Sequence, residues 1–119
     1  MAMKLLIVDD SNVIRRAITR QVASSEYEVR SAGNGQEALR VFDEFNPEIV
    51  TMDITMPELD GLSCVEAILN RNQDTKILVI SALADKATAV EAIKRGAQGF
   101  LLKPFTAEML QTELAELLT

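Results

Sequence analysis

The chain of 119 residues contains no histidine and one cysteine, and both absences exclude classes of functional site. Without histidine there is no Ser-His-Asp or Cys-His catalytic pair, and no imidazole can bind a metal. The lone Cys64 cannot form an internal disulfide, and a structural zinc site cannot be assembled around it. Any metal bound here must therefore be a hard cation on oxygen ligands, such as magnesium, manganese or calcium.

Long apolar runs and an excess of positive charge are also missing. No run is long enough to span a bilayer, and residues 1–4 lead into a short strand-like segment rather than a signal peptide. The net charge is −6, so electrostatic attraction to nucleic acid or to an anionic membrane is not expected. We expect a cytoplasmic protein with no nucleic-acid partner and no membrane insertion.

Short apolar runs alternate with segments of helical periodicity along the chain. The runs lie near residues 5–9, 27–32, 48–54, 77–82 and 99–103. The first, third and fourth are continuously apolar, which is typical of strands covered on both faces of a parallel sheet. The second alternates with polar residues, as an edge strand does. We predict an α/β fold in a single domain, 1–119, with a doubly wound five-stranded parallel sheet and helices on both faces.

Residues with short polar side chains precede the helical segments and predict where the helices begin. Ser11, Asn34, Asp60 and Thr106 each stand just before a segment with apolar residues at helical spacing. Cys64 falls among apolar positions of the third such segment, so we interpret it as a packed core residue rather than a reactive thiol.

Polar residues follow four of the apolar runs. They are Asp9 and Asp10 after the first, Asp53 after the third, Ser81 after the fourth and Lys103 after the fifth. In an open parallel sheet, binding sites lie just outside the carboxyl ends of the strands, so we expect these side chains to converge. Three carboxylates in one cleft repel one another, and a divalent cation relieves that repulsion.

Such a cluster can also accept a phosphoryl group. The Asp53 carboxylate can attack phosphorus directly and form an acyl phosphate. The Lys103 ammonium can act as a point charge on a phosphoryl oxygen, and the Ser81 hydroxyl can donate a hydrogen bond to the same group. These residue types therefore predict magnesium-assisted phosphoryl transfer.

A set of motifs, in order along the whole chain, carries a resemblance to a known family. The motifs are Asp9-Asp10, Asp53 with Met56-Pro57 and Asp60-Gly61, Ser81-Ala82, Gly96-Ala97 and Lys103-Pro104-Phe105. At these spacings the sequence resembles the response-regulator receiver domains of two-component signalling, and in particular single-domain receivers of the chemotaxis type. The resemblance implies a flavodoxin-like (βα)5 fold with strand order 2-1-3-4-5.

The resemblance also implies roles for individual residues. Asp53 would accept the phosphoryl group from the phosphohistidine of a histidine kinase or phosphotransfer protein, and Ser81 and Lys103 would bind its oxygens. Magnesium, with manganese as a substitute, would be held by a set of oxygen ligands: Asp9, Asp10, Asp53 and the backbone carbonyl of Thr55. The protein would be a signalling receiver rather than a conventional enzyme, one that catalyses its own phosphorylation and slow dephosphorylation.

A conformational switch is implied as well. Ser81 would move toward the phosphoryl group, and Phe100 stands where the family has a switching aromatic, often a tyrosine. A downstream effector would then bind the face formed by the fourth helix, the fifth strand and the fifth helix.

Other readings of the sequence remain open at this point. A magnesium-dependent phosphatase of the haloacid dehalogenase type also uses an aspartyl phosphate, but its nucleophile ends the first strand in an Asp-x-Asp pattern. A flavodoxin-like electron carrier would need a phosphate-binding loop where Asp9 and Asp10 stand, and these carboxylates would repel a flavin phosphate. A receiver used only for binding is the third alternative.

Overall fold

The computed structural model describes residues 2–22, 26–54, 60–82 and 86–118. Within them, strands and helices alternate strictly. The strands are β1 (Met3–Val8), β2 (Tyr27–Ala32), β3 (Ile49–Asp53), β4 (Lys76–Ser81) and β5 (Gly99–Leu102). The helices are α1 (Asn12–Val22), α2 (Gly35–Phe45), α3 (Gly61–Arg71), α4 (Lys86–Lys94) and α5 (Ala107–Leu117).

The five strands form one parallel sheet in the order β2-β1-β3-β4-β5, which confirms the fold expected from the sequence. β2 lies at one edge, as its alternating pattern predicts. In the central strands, Val8 pairs with Met52, Asp53 with Ile80, and Ser81 with Leu102. This register aligns the carboxyl ends of β1, β3, β4 and β5 along one edge of the sheet.

Helices cover both faces of the sheet, and each face has its own apolar core. The α2–α4 face is packed by α2, α3 and α4 against alternate strand residues, including Leu6, Val8, Val50, Met52, Ile77 and Val79. The α1–α5 face is packed by α1 and α5 against the intervening ones: Leu5, Ile7, Ile49, Leu78, Ile80 and Leu101. Because successive strand residues point to opposite faces, burial on both sides requires the continuous apolar runs seen in the sequence.

The predicted helix starts are confirmed. The side chains of Ser11, Asn34, Asp60 and Thr106 each accept a hydrogen bond from the backbone N–H three residues later, at 2.8–3.2 Å. These bonds satisfy amide groups that the first helical turn leaves without a partner. In the described part of the chain, no helix combines the length and the apolar character needed to cross a bilayer.

Cys64 is fully buried in the core of the α2–α4 face, as predicted. Burial raises the pKa of its thiol to about 11, because the charged thiolate is poorly solvated there. The thiol therefore stays protonated at neutral pH and acts as a small apolar side chain.

Candidate functional site

Three charged side chains lie on the α1–α5 face of the sheet, beyond the last apolar residue that each strand places on that face. Asp9 follows Ile7, Asp53 lies at the end of β3 in phase with Ile49, and Lys103 follows Leu101. Because these positions share one face of neighbouring strands, the three side chains meet at the carboxyl edge of the sheet. The convergence predicted from the strand ends is therefore present for Asp9, Asp53 and Lys103, whereas Ser81 lies in phase with the opposite face.

The carboxylates of Asp9, Asp10 and Asp53 form a cluster in which one oxygen from each lies within 4.8 Å of the others. Asp9 and Asp53 are buried, with 1% and 4% of their surface exposed, whereas Asp10 is exposed. Two sheltered carboxylates beside an open one form a cleft that a hydrated divalent cation can enter from solvent. Magnesium binds such sites through one or two carboxylates while keeping several waters.

The Lys103 ammonium bridges two members of this cluster. Its Nζ lies 2.9 Å from Asp9 Oδ2 and 3.8 Å from Asp53 Oδ1. Its backbone N–H donates to the carbonyl of Ser81 at 2.8 Å, which ties the start of the β5–α5 loop to the end of β4. The Lys103–Pro104 peptide bond is cis. The sequence predicts an ammonium at this edge, but the shorter contact with Asp9 depends on the folded geometry.

Asp9 and Asp10 are held very differently. Asp9 accepts hydrogen bonds from the Ser11 N–H and from Lys103 Nζ, both at 2.9 Å. Within the described residues, the Asp10 carboxylate has no hydrogen bond or ion pair. Asp9 is thus a fixed acceptor inside the cleft, while the Asp10 oxygens are available to a ligand.

The start of α3 packs directly on the end of β3. A Cβ added at Gly61 would lie 2.3 Å from the Asp53 carbonyl oxygen and 2.4 Å from the Ile54 Cα. Only glycine permits this approach of two backbones, since the atoms in the way are themselves backbone. Gly61 therefore fixes the position of the strand end that carries Asp53, a role that sequence reasoning did not assign to it.

Ser81 and Phe100 lie on the opposite face of the sheet from Lys103. Ser81 is fully buried at the end of β4, in phase with Val79. Phe100 pairs with Val79 in the neighbouring strand and is half-buried against the core of the α2–α4 face. The two candidate switch residues are thus close in register, two residues apart along neighbouring strands. Thr55, the expected backbone ligand, lies outside the described residues, as do Met56 and Pro57.

The charges of the site favour a cation and then an anion. Three carboxylates and one ammonium leave two negative charges uncompensated, which a divalent ion balances. With the divalent ion present, the buried Asp53 can receive a phosphoryl group. The ion and the Lys103 ammonium would then both stabilise the negative phosphoryl oxygens.

Sequence comparison identifies relatives over nearly the whole chain. The profile of the response regulator receiver domain matches residues 5–115. The chain is 45% identical to the chemotaxis protein CheY of Listeria monocytogenes over 107 residues, which is 89% of this chain and 90% of the relative. It is 42% identical over 106 residues to the chemotaxis protein CheY of Thermotoga maritima, covering 88% of each chain.

Solved structures share the fold closely. CheY4 of Vibrio cholerae superposes with a TM-score of 0.92 at 31% identity, covering 98% of this chain and 99% of that one. The CheX–CheY–BeF3–magnesium complex of Borrelia burgdorferi contains a chain that superposes with a TM-score of 0.93 at 28% identity, covering 98% and 90%.

The matches bear on the alternative functions considered from the sequence. They favour a phosphoacceptor response regulator of two-component signalling over the phosphatase alternative, and the matched regions cover 90% and 88% of the two chemotaxis proteins CheY. The order of strands, the acidic cluster and the lysine at the carboxyl edge agree with that assignment. This chain belongs to the response regulator receiver domain family.

Proposed function

We propose that Asp53 is the phosphoacceptor of this receiver and that a partner histidine kinase or phosphotransfer protein supplies the phosphoryl group. The observation that carries the proposal is the position of Asp53. It is buried at the end of a central strand, inside the carboxylate cluster and 3.8 Å from the Lys103 ammonium. Since the chain has no histidine of its own, the phosphohistidine must come from the partner.

In the transfer, a carboxylate oxygen of Asp53 attacks phosphorus. The bond between phosphorus and the partner's imidazole nitrogen breaks, and the imidazole nitrogen keeps the electron pair of that bond. Lys103 stabilises the charge on the phosphoryl oxygens, and the Ser81 hydroxyl donates to one of them. Water then hydrolyses the resulting acyl phosphate, which releases inorganic phosphate and returns the free carboxylate. The protein would thus catalyse both its phosphorylation and its slow dephosphorylation.

Magnesium fits the cluster, with manganese as a substitute because both prefer oxygen ligands. Asp10 would ligate the ion directly, Asp9 would act largely through water because it is already bonded to Lys103, and Asp53 and the Thr55 carbonyl would complete the set. When bound, the cation offsets the repulsion among the carboxylates and neutralises phosphoryl oxygens.

Phosphorylation would change the surface made by α4, β5 and α5. Drawing Ser81 toward the phosphoryl group opens space beside β4, and the Phe100 ring can turn into it without leaving a hydroxyl unsatisfied. This face already exposes apolar side chains on all three elements: Val90, Ile93, Leu102 and Met109, each between 40% and 51% exposed. Apolar surface of this kind supports binding of a downstream effector protein.

Residues 1–119 would act as one receiver domain in the cytoplasm, where ATP supplies the partner kinase. No nucleic-acid partner and no membrane insertion are proposed, since the net charge is −6.

Acetyl phosphate with magnesium tests the assignment of the acceptor. Intact-mass spectra of the wild type should show one added phosphoryl group, and Asp53→Asn should show none. Asp74→Asn removes an exposed carboxylate at the opposite edge of the sheet and should be phosphorylated like the wild type. An equal mass gain in Asp53→Asn would place the acceptor elsewhere.

The proposed switch has a separate test. Fluorine spectra of protein labelled at Phe100 should shift when a beryllofluoride mimic occupies Asp53, because the ring changes its surroundings. Phe45, buried in α2, serves as an internal reference that should not shift. An unchanged Phe100 signal on saturation would leave Asp53 as an acceptor without this switch.

A further inference from the structure

We propose that Arg15 is a positioning residue for the metal site, holding the β1–α1 loop in the geometry that Asp10 needs to bind magnesium. The inference rests on the proposed function, since it takes Asp10 as a metal ligand. Arg15 lies in the second turn of α1 and is half-buried, although arginine side chains are usually exposed.

The Arg15 guanidinium hydrogen-bonds within the β1–α1 region and packs against the β2–α2 loop. Its Nη1 donates to the backbone carbonyl of Asp9, and its Nη2 donates to the side-chain oxygen of Asn12. The same group lies against Gly33 in the β2–α2 loop, where an added Cβ would be 3.2 Å from Nη1. The planar fork of arginine suits this arrangement, because it offers several donors in fixed directions.

The bonded carbonyl belongs to the peptide unit that joins Asp9 to Asp10. The Asp9 side chain has its own anchors in Ser11 and Lys103, but the Asp10 carboxylate has none within the described residues. The orientation of the Asp10 side chain therefore depends on the conformation of its backbone. By fixing the preceding peptide, Arg15 orients a ligand whose carboxylate has no anchor of its own among the described residues.

The positive charge of Arg15 and its proposed positioning role predict opposite changes in magnesium affinity when Arg15 is replaced. A positive group near a cation site repels magnesium, so charge alone predicts that Arg15→Gln binds the ion more tightly. Loss of positioning predicts weaker binding, and removal of groups that orient metal ligands commonly lowers affinity by about tenfold or more. Arg15→Lys keeps the charge but loses the fork, and it should also bind more weakly.

The experiment is calorimetric titration of the metal-free proteins with magnesium chloride. We expect Arg15→Gln and Arg15→Lys to raise the dissociation constant by about tenfold. Gly33→Val should also raise it, because its side chain would displace the guanidinium while Arg15 itself remains. Arg16→Gln is the matched control, since Arg16 is exposed on the same helix and carries the same charge. Ile18→Val lowers stability in the core of the same helix and should leave the affinity unchanged.

Amide hydrogen exchange in the metal-free protein provides a second readout. The Ser11 N–H, which is bonded to Asp9, should exchange faster in Arg15→Gln than in the wild type and in Arg16→Gln. Unchanged or tighter magnesium binding in Arg15→Gln, or unchanged Ser11 exchange, would overturn the inference. If the wild type itself bound no magnesium, the proposed function would fail, and Ser11 exchange would still decide whether Arg15 holds the loop.

Discussion

The amino edge of the sheet is the side at which the parallel strands begin. Polar side chains there hydrogen-bond to backbone groups near the strand starts. Gln98 accepts from the Ile77 N–H at 2.8 Å and donates to the Thr75 carbonyl at 3.3 Å. The Asn72 side chain accepts from the Asp74 N–H at 3.0 Å. Both side chains are neutral, and they provide hydrogen-bond partners for backbone N–H and C=O groups. The amino edge therefore contributes to the stability of the fold.

At the carboxyl edge, the same strands end in charged groups. Asp9 and Asp53 are buried beside Lys103, and Asp10 adds a third carboxylate within 4.8 Å. Burial of like charges destabilises the fold and is relieved by a bound cation. One edge therefore stabilises the sheet, while the other keeps an electrostatic repulsion that a ligand can relieve. The following substitutions test this contrast, from the largest expected effect to the smallest.

Replacing Lys103 by methionine should have the largest effect, because it removes the ammonium that contacts Asp9 and Asp53 while keeping most of the side-chain volume. Phosphorylation by acetyl phosphate should slow about a hundredfold. The free energy of unfolding should fall by about 3 kcal/mol without metal, since Asp9 is left buried and unpaired.

Lys76→Met is the matched control, because Lys76 is exposed at the amino edge. It should change neither the phosphorylation rate nor, by more than about 0.5 kcal/mol, the free energy of unfolding. Urea denaturation and the time course of phosphorylation measure both quantities. If Lys103→Met and Lys76→Met had the same phosphorylation rate and the same free energy of unfolding, the proposed difference between the two edges would be wrong.

Asp10→Asn should lose most of the stabilisation that magnesium gives. At a magnesium concentration a hundred times its dissociation constant, the wild type should gain about 2.7 kcal/mol in free energy of unfolding. The variant should gain less than half of this. Without metal it should be more stable than the wild type by under about 1 kcal/mol, because Asp10 is exposed and its repulsion is screened.

Thermal melts with and without magnesium measure these differences, and Asp74→Asn controls for loss of an exposed carboxylate. An equal gain from magnesium in Asp10→Asn and wild type would show that Asp10 is not a ligand.

Gln98→Ala should weaken the amino edge without affecting the site. The substitution leaves the Ile77 N–H and the Thr75 carbonyl without their side-chain partner, so the free energy of unfolding should fall by about 1–2 kcal/mol. The phosphorylation rate should stay that of the wild type. Gln73→Ala, in the exposed turn nearby, should change neither quantity; a slower phosphorylation of Gln98→Ala would show that the two edges are coupled.

The smallest effect is expected at two buried threonines, Thr51 in the middle of β3 and Thr75 just before the start of β4. Thr51 and Thr75 are both 1% exposed, and their hydroxyl oxygens lack a hydrogen-bond partner among the described residues. Replacing either by valine keeps the shape and removes an unsatisfied polar group, so stability should be unchanged or raised by up to about 1 kcal/mol. A lower free energy of unfolding in urea denaturation would instead reveal a water or a partner at the hydroxyl.

Particular residues show how far sequence reasoning reached. The runs of β1, β3 and β4 predict strands because burial on both faces of a parallel sheet demands continuous apolar residues. Ser11, Asn34, Asp60 and Thr106 predict helix starts because their bonds are local, spanning three residues. The strand order, by contrast, came from the resemblance to receivers.

Contacts between distant residues could not be predicted in this way. Gly61 contacts the end of β3, the Arg15 guanidinium lies on Gly33, and Lys103 pairs with Asp9 across 94 positions of sequence. Sequence patterns indicate that a lysine and two aspartates end separate strands, but they do not say which aspartate the lysine contacts.

The sequence by itself therefore determined the alternation of strands and helices, the helix starts and the residue types gathered at the carboxyl edge, because each follows from local hydrogen bonding or from burial periodicity. Only the tertiary structure decided that Asp9 is buried and paired while Asp10 is exposed, and that Arg15 donates a hydrogen bond to the carbonyl of the peptide between them. Those outcomes depend on strand register and on the packing of loops, which bring together groups that are far apart along the chain.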